Sequence, residues 1–186
     1  MSGVLKPALI LLVICAVISG ALALTYDSTS KIIAAGDQAA INDAMAVVLP
    51  DSEFTELEIS ASAAGGNPEI QSLYRATKNG VDAGYVATVI AKGYGGDMTI
   101  IVGIDADNNI SGVRVSSHSE TPGLGDRAAK PDFYNLFNGK STSSPLAVAK
   151  GDAADSEISA ISGATISSNA VVDSVNAAAD AIKNLK

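Results

Sequence analysis

Cysteine and histidine are almost missing from this chain of 186 residues, which holds one of each, Cys15 and His118. A lone cysteine excludes an internal disulfide and a cysteine-held iron–sulfur cluster, and a lone histidine leaves no ligand set for a catalytic zinc. Any redox chemistry would therefore need an organic cofactor. Basic clusters are missing as well. With a formal charge of −8 the chain is a poor nucleic-acid binder, and its acidity fits a soluble exterior. No glycine fingerprint of a nicotinamide-binding unit occurs. After residue 26 no apolar run is long enough to cross a membrane; residues 44–49 and 98–104 have the length of buried element faces.

The first 25 residues are different, with Lys6 their only charge. Residues 8–25 contain no charge and no proline. Eighteen residues of helix rise roughly 27 Å, enough to cross a hydrocarbon core. An uncleaved anchor is the first reading. A secretory signal is the second, with Ala21-Leu22-Ala23 offering a cleavage site. Under both, Lys6 favours the inside and the rest of the chain is extracytoplasmic. Cys15 follows Val13-Ile14, side chains too bulky for a usual bacterial lipid-attachment box.

Beyond the anchor, a helix is expected over about 31–49, capped by Ser28 or Ser30 and stopped by Pro50. Its stripe comprises Ile32, Ile33, Ala40, Ile41, Ala44, Val48 and Leu49. Residues 51–68 are mixed and end in the loop Ala64-Gly65-Gly66-Asn67-Pro68. Strands are expected over 71–77, 83–91, 98–104 and 110–116, with the first hairpin closed by Asn79-Gly80. A short helix within 126–139 would bury Phe133, Tyr134, Leu136 and Phe137. Residues 140–156 read as a Ser-, Pro- and Ala-rich connection. The last helix is expected over 168–184, with Ala170, Val171, Ser174, Val175, Ala178 and Ile182 on its inner side. The fold class is α+β: an N-terminal transmembrane helix, then an antiparallel β-meander packed with helices. The expected division is a membrane anchor over 1–27, a helix and connecting segment over 28–70, and a binding domain over 71–186.

Thr165 closes the run Ser162-Gly163-Ala164-Thr165 just ahead of that last helix. A helix N-terminus offers unpaired N–H donors and a positive dipole end. From the residues alone, the Thr165 hydroxyl is either an ordinary cap or the attachment point of a phosphate-bearing group. Two further motifs precede it in order, Lys92-Gly93-Tyr94-Gly95-Gly96 and His118-Ser119-Glu120-Thr121-Pro122-Gly123-Leu124-Gly125.

Together the three motifs resemble the FMN-binding domain of membrane redox complexes, above all the G subunit of the Rnf ion-translocating ferredoxin:NAD oxidoreductase. The C subunit of the sodium-pumping NADH:quinone oxidoreductase shares them but is usually longer, and is the alternative. The resemblance covers residues 75–186 and implies FMN held covalently, its phosphate esterified to Thr165. Ser162, Gly163 and Ala164 would surround the attachment, Gly163 and Ala164 leaving room for the phosphate. Glu120, Thr121, Leu124 and Gly125 would lie beside the isoalloxazine ring. A threonine hydroxyl is a weak nucleophile unaided, and the family relies on a flavin transferase that uses FAD. That enzyme's recognition pattern has Asp six residues before the threonine, where this chain has Ser159; Glu157 is nearby. His118 is either a proton donor near the flavin or a structural side chain, and Tyr94 either stacks on a ring or covers the sheet.

The resemblance implies an electron-carrying subunit, with no catalytic residue of its own and no metal. Its partners would be the other membrane subunits, the flavin transferase and the lipid bilayer, and its place the cell membrane with the domain outside. It would be an enzyme only as part of that complex. A non-redox, membrane-tethered binding module and a stand-alone extracytoplasmic flavin reductase are the other readings.

Overall fold

The computed structural model describes residues 2–58, 68–151 and 153–185. It divides into two compact units, Met1–Ala39 and Ala40–Lys186.

One helix, α1 (Ser2–Val48), runs unbroken through positions 28 and 30. Neither serine therefore caps a helix start, and the expected second helix is the continuation of the first. In the first unit, Leu5–Tyr26 is long and apolar enough to cross a membrane, with mean hydropathy 2.7. At its end the hydroxyls of Thr25 and Thr29 donate to the carbonyls of Ala21 and Thr25, both at 2.8 Å. Back-bonding of this kind keeps polar side chains satisfied within a helix. Ile32 and Ile33, expected on the buried stripe, are exposed. The Ala64–Asn67 part of the expected loop lies outside the described residues.

The second unit is built on a five-stranded antiparallel sheet, β1 (Glu53–Leu57), β2 (Glu69–Lys78), β3 (Val81–Lys92), β4 (Asp97–Asp105) and β5 (Ile110–Ser117), in sequence order. Four of these are the expected meander; β1 is added at its edge. Asn79 and Gly80 both take positive φ (52° and 79°), the geometry a two-residue hairpin needs. Strand alternation sends neighbouring side chains to opposite faces. Ile100 and Val102 face one core with Leu73, Val89 and Met98, while Ile101 faces the other with Ala76 and Val86.

The second core is closed by the end of α1, where Met45, Val48 and Leu49 are buried. Val48 sits against Gly103 and Gly112, cross-strand partners, where an added Cβ would crowd it. The main core is covered by α3 (Thr165–Lys183), whose Ala170, Val171, Ser174, Val175, Ala178 and Ile182 are all buried as expected. Between β5 and α3 lie a 3-10 turn (Gly125–Ala129), α2 (Pro131–Tyr134) and a second 3-10 turn (Asn135–Phe137). Phe133 and Phe137 are buried edge to face, 5.6 Å between centroids. Leu136, expected inside, is 40% exposed. The connection is not wholly irregular either, because β6 (Ala147–Ala149) pairs in parallel with β7 (Glu157–Ser159).

Candidate functional site

α3 begins three residues earlier than expected. Ala164 N–H donates to the Ile161 carbonyl at 2.9 Å, closing a turn in which Gly163 has φ 78°. Only glycine adopts that value freely. The first helical bond is Ser168 N–H to the Ala164 carbonyl, 3.0 Å, so Ala164 is the N-cap and Thr165 the first helical residue. Thr165 is therefore not a cap, and no side chain caps this helix. Ser168, taken from the sequence as the helix start, is buried behind the turn. Its hydroxyl accepts the Ile161 N–H and donates to the Ala164 carbonyl, each at 3.0 Å. Geometry leaves the first-turn N–H groups of Thr165, Ile166 and Ser167 without intrahelical acceptors.

The segment after β5 builds a matching turn. Leu124 N–H donates to the Thr121 carbonyl at 3.1 Å, with Pro122 second and Gly123 third at φ 79°. Those are the residues a type II turn demands. Gly123 N–H donates to Asp126 Oδ1 at 2.7 Å. The N–H groups of Gly123 and Leu124 are thus engaged inside the loop. The two turns touch: a Cβ on Gly163 would meet Leu124 Cδ2 at 3.2 Å.

Glu120 joins the first two motifs to the first turn of α3. It is buried, and both carboxylate oxygens accept a hydrogen bond. Gly95 N–H donates to Oε1 at 2.9 Å, and the Ser167 hydroxyl donates to Oε2 at 2.7 Å. Two donors on two oxygens suit an ionised carboxylate, which can only accept. The motif glycines make space for it, since a Cβ on Gly93 or Gly125 would collide with this carboxylate. His118 Nδ1 accepts the Glu120 N–H at 3.3 Å. Of its two readings, this contact fits the structural one.

Around this clasp opens a cavity of about 460 Å³, lined by Tyr94, Glu120, Thr121, Leu124, Gly125, Gly163, Ala164, Thr165, Ile166 and Ser167. That volume lies in the range of small-molecule sites. Seven of the eight candidate site residues line it; Ser162 is exposed on the turn and does not. Ser167 and Ile166 were not foreseen. Their place in the wall follows from α3 starting at Thr165, which residue types alone did not show. Tyr94, Leu124 and Ile166 are 74%, 45% and 54% exposed, an apolar rim suited to one face of a flat ring. Glu120 is the only charged side chain in the wall, and the described residues contain no group of three or more potential metal ligands.

The arrangement thus offers apolar contact at one end and a helix N-terminus beside a hydroxyl at the other. The donor set and the volume fit FMN with its phosphate at Thr165. Upstream, the Ser159 hydroxyl donates to the Gly151 carbonyl at 3.0 Å, and Glu157 Oε2 accepts the Ala154 N–H at 3.0 Å. The nearby carboxylate therefore serves its own loop.

Residues 93–180 match the FMN-binding domain family. Over 98% of its length the chain is 37% identical to the G subunit of the Na(+)-translocating ferredoxin:NAD(+) oxidoreductase complex of Acetobacterium woodii, covering 93% of that protein. It is 35% identical to the G subunit of the ion-translocating oxidoreductase complex of Methanosarcina acetivorans, over 94% of the chain and 92% of the relative. The fold is similar to the crystal structure of NqrC from Shewanella oneidensis, with TM-score 0.54 and 24% identity. That match covers 71% of this chain and 65%, just under two thirds, of the other.

Proposed function

This chain belongs to the FMN-binding domain family, among the G subunits of ion-translocating oxidoreductase complexes, and from that membership we propose that it is an electron-transfer subunit carrying FMN esterified to Thr165 on the extracytoplasmic side of a membrane. One observation carries the reading. Three segments separated by up to some seventy residues converge on one cavity, and Thr165 lies in its wall at the start of α3.

The bound flavin would supply electron transfer in steps of one or two electrons. The chain's own residues hold it. The first-turn N–H groups of α3 and the helix dipole favour a phosphate at Thr165. Leu124, Ile166 and Tyr94 offer apolar surface to the ring, and their exposure leaves it accessible to a partner's cofactor. Attachment forms a bond between Thr165 Oγ and the FMN phosphorus and breaks the pyrophosphate of FAD. AMP leaves, and the hydroxyl proton passes to the flavin transferase. The need for a transferase is supported by the cavity wall, whose one carboxylate, Glu120, already has both oxygens engaged and so offers the hydroxyl no free base.

The apolar segment Leu5–Tyr26 supports membrane anchoring. With Lys6 inside, the domain lies outside, where free FMN is not assured and a covalent bond retains the cofactor. The partners are the remaining membrane subunits and the transferase.

Co-expression of the full chain with a flavin transferase tests this. Denatured protein on a gel should fluoresce under ultraviolet light and carry the mass of one FMN on the peptide containing Thr165. Absence of both signals overturns the reading.

A further inference from the structure

The cavity wall holds one charge, and it is negative. Glu120 is the sole charged lining residue, and no Lys, Arg or His is among the residues that line the cavity. The positive end available to an anion is the N-terminus of α3, and Glu120 lies against its first turn: its Oε2 accepts from the side-chain hydroxyl of Ser167, the third residue of that helix. We infer that Glu120 is a charge-selecting residue, which makes the cavity reject free FMN and tolerate the flavin only as a neutral species or a phosphodiester. This rests on the flavin reading of the cavity.

A free phosphate monoester carries about −1.5 to −2 charges near neutral pH. Esterification to Thr165 removes an ionisable oxygen and leaves −1. The helix end supplies only about +0.5 charge, within its first turn. A carboxylate and a monoester dianion beside it are overcompensated, and their repulsion inside a partly enclosed wall is stronger than in water. The diester roughly halves that repulsion. A tether at Thr165 also raises the local ring concentration, so weak ring contacts suffice once the bond exists. Non-covalent FMN would then not fill the cavity ahead of the transferase.

Glu120→Gln separates charge from shape. The amide oxygen can still accept from Gly95 N–H, and its NH2 can donate to the Ser167 oxygen, so both clasp contacts survive. The experiment uses the full-length chain, expressed without a flavin transferase and purified in detergent. Riboflavin and FMN are titrated separately by flavin fluorescence.

In the unsubstituted protein riboflavin should bind about tenfold more tightly than FMN. In Glu120→Gln the ratio should fall to about twofold. Raising the salt should strengthen FMN binding to the unsubstituted protein and leave riboflavin unchanged, a measurement that needs no variant. Binding of FMN as tight as riboflavin, a ratio unmoved by Glu120→Gln, or no saturable binding of either flavin overturns the inference. Covalent labelling at Thr165 is scored separately. A labelled protein with an unmoved ratio would sink the role of Glu120 and leave the electron-carrier reading standing.

Discussion

The Ser167 hydroxyl hydrogen-bonds Glu120 Oε2 at 2.7 Å across 47 positions of sequence, both groups buried. This bond ties the first turn of α3 to the loop that follows β5, and the same carboxylate reaches Gly95 on the β3–β4 turn. Leaving one carboxylate oxygen without its donor costs about 1–3 kcal/mol. Ser167→Ala should therefore lower the melting temperature measurably, and Glu120→Ala should lower it further by also opening a void. Glu120→Gln should stay close to the parent. Thermal unfolding of the detergent-solubilised chain, followed by circular dichroism, measures all three.

Gly125 has no space for a side chain, since its Cβ would fall on the Glu120 carboxylate and within 2.6 Å of the Ser167 hydroxyl oxygen. Gly125→Ala should destabilise by about 1–3 kcal/mol through overpacking and reduce FMN labelling. Gly139, whose added Cβ would meet nothing within 4 Å, has φ 75° and serves as the comparison. Gly139→Ala should cost stability through its backbone alone and leave labelling intact.

Because Thr165 is the first helical residue and caps nothing, its hydroxyl contributes little to the helix. A lost cap would cost about 1 kcal/mol; Thr165→Ala should change unfolding free energy by less than about 0.5 kcal/mol. The same substitution should remove the covalent flavin completely. A large stability loss would return Thr165 to a structural role.

Ser159 stands six positions before Thr165, and its hydroxyl donates to the Gly151 carbonyl in its own neighbourhood. Ser159→Asp supplies the carboxylate that the transferase pattern usually has there. Labelling in a time course with transferase and FAD should be faster, with unchanged melting temperature. An equal or slower rate would show that this chain's attachment does not depend on that charge.

Asp173, an exposed residue of α3, has its carboxyl pushed above the ordinary value of 3.8 by partial desolvation. The folded state then binds this proton more readily than the unfolded one, so the contribution of Asp173 is full at low pH and is lost as pH rises through the shifted value. Asp173→Asn should stabilise the chain at neutral pH. The advantage should shrink as pH drops towards 3.8, which paired melting curves across pH will show.

Much of the fold was legible because its signals are local. Pro50 follows the end of α1, Asn79-Gly80 turns the first hairpin, and the β-branched runs mark β3, β4 and β5 within a residue or two. β1 was not legible. Its Glu53, Thr55 and Glu56 dilute the apolar signal, and the strand exists through pairing with β2. β6 and β7 have three residues each and form only because their parallel pairing brings 147–149 against 157–159.

At the site, the family resemblance carried by three ordered motifs pointed to Glu120, Thr121, Leu124 and Gly125 as one wall, and these four residues do line the cavity. Helix capping chemistry and turn glycines act within a few residues, so a linear chain displays them. What only the tertiary structure decided is where α3 starts, that Ser162 stays out of the cavity wall, and that Ser167 closes on Glu120. Those outcomes depend on groups 25 and 47 positions apart meeting one buried carboxylate, and no local propensity encodes a meeting of that kind. Burial sets the surroundings of Glu120 as well: the fold makes it the one charged side chain in the cavity wall, where a charge acts more strongly than in water.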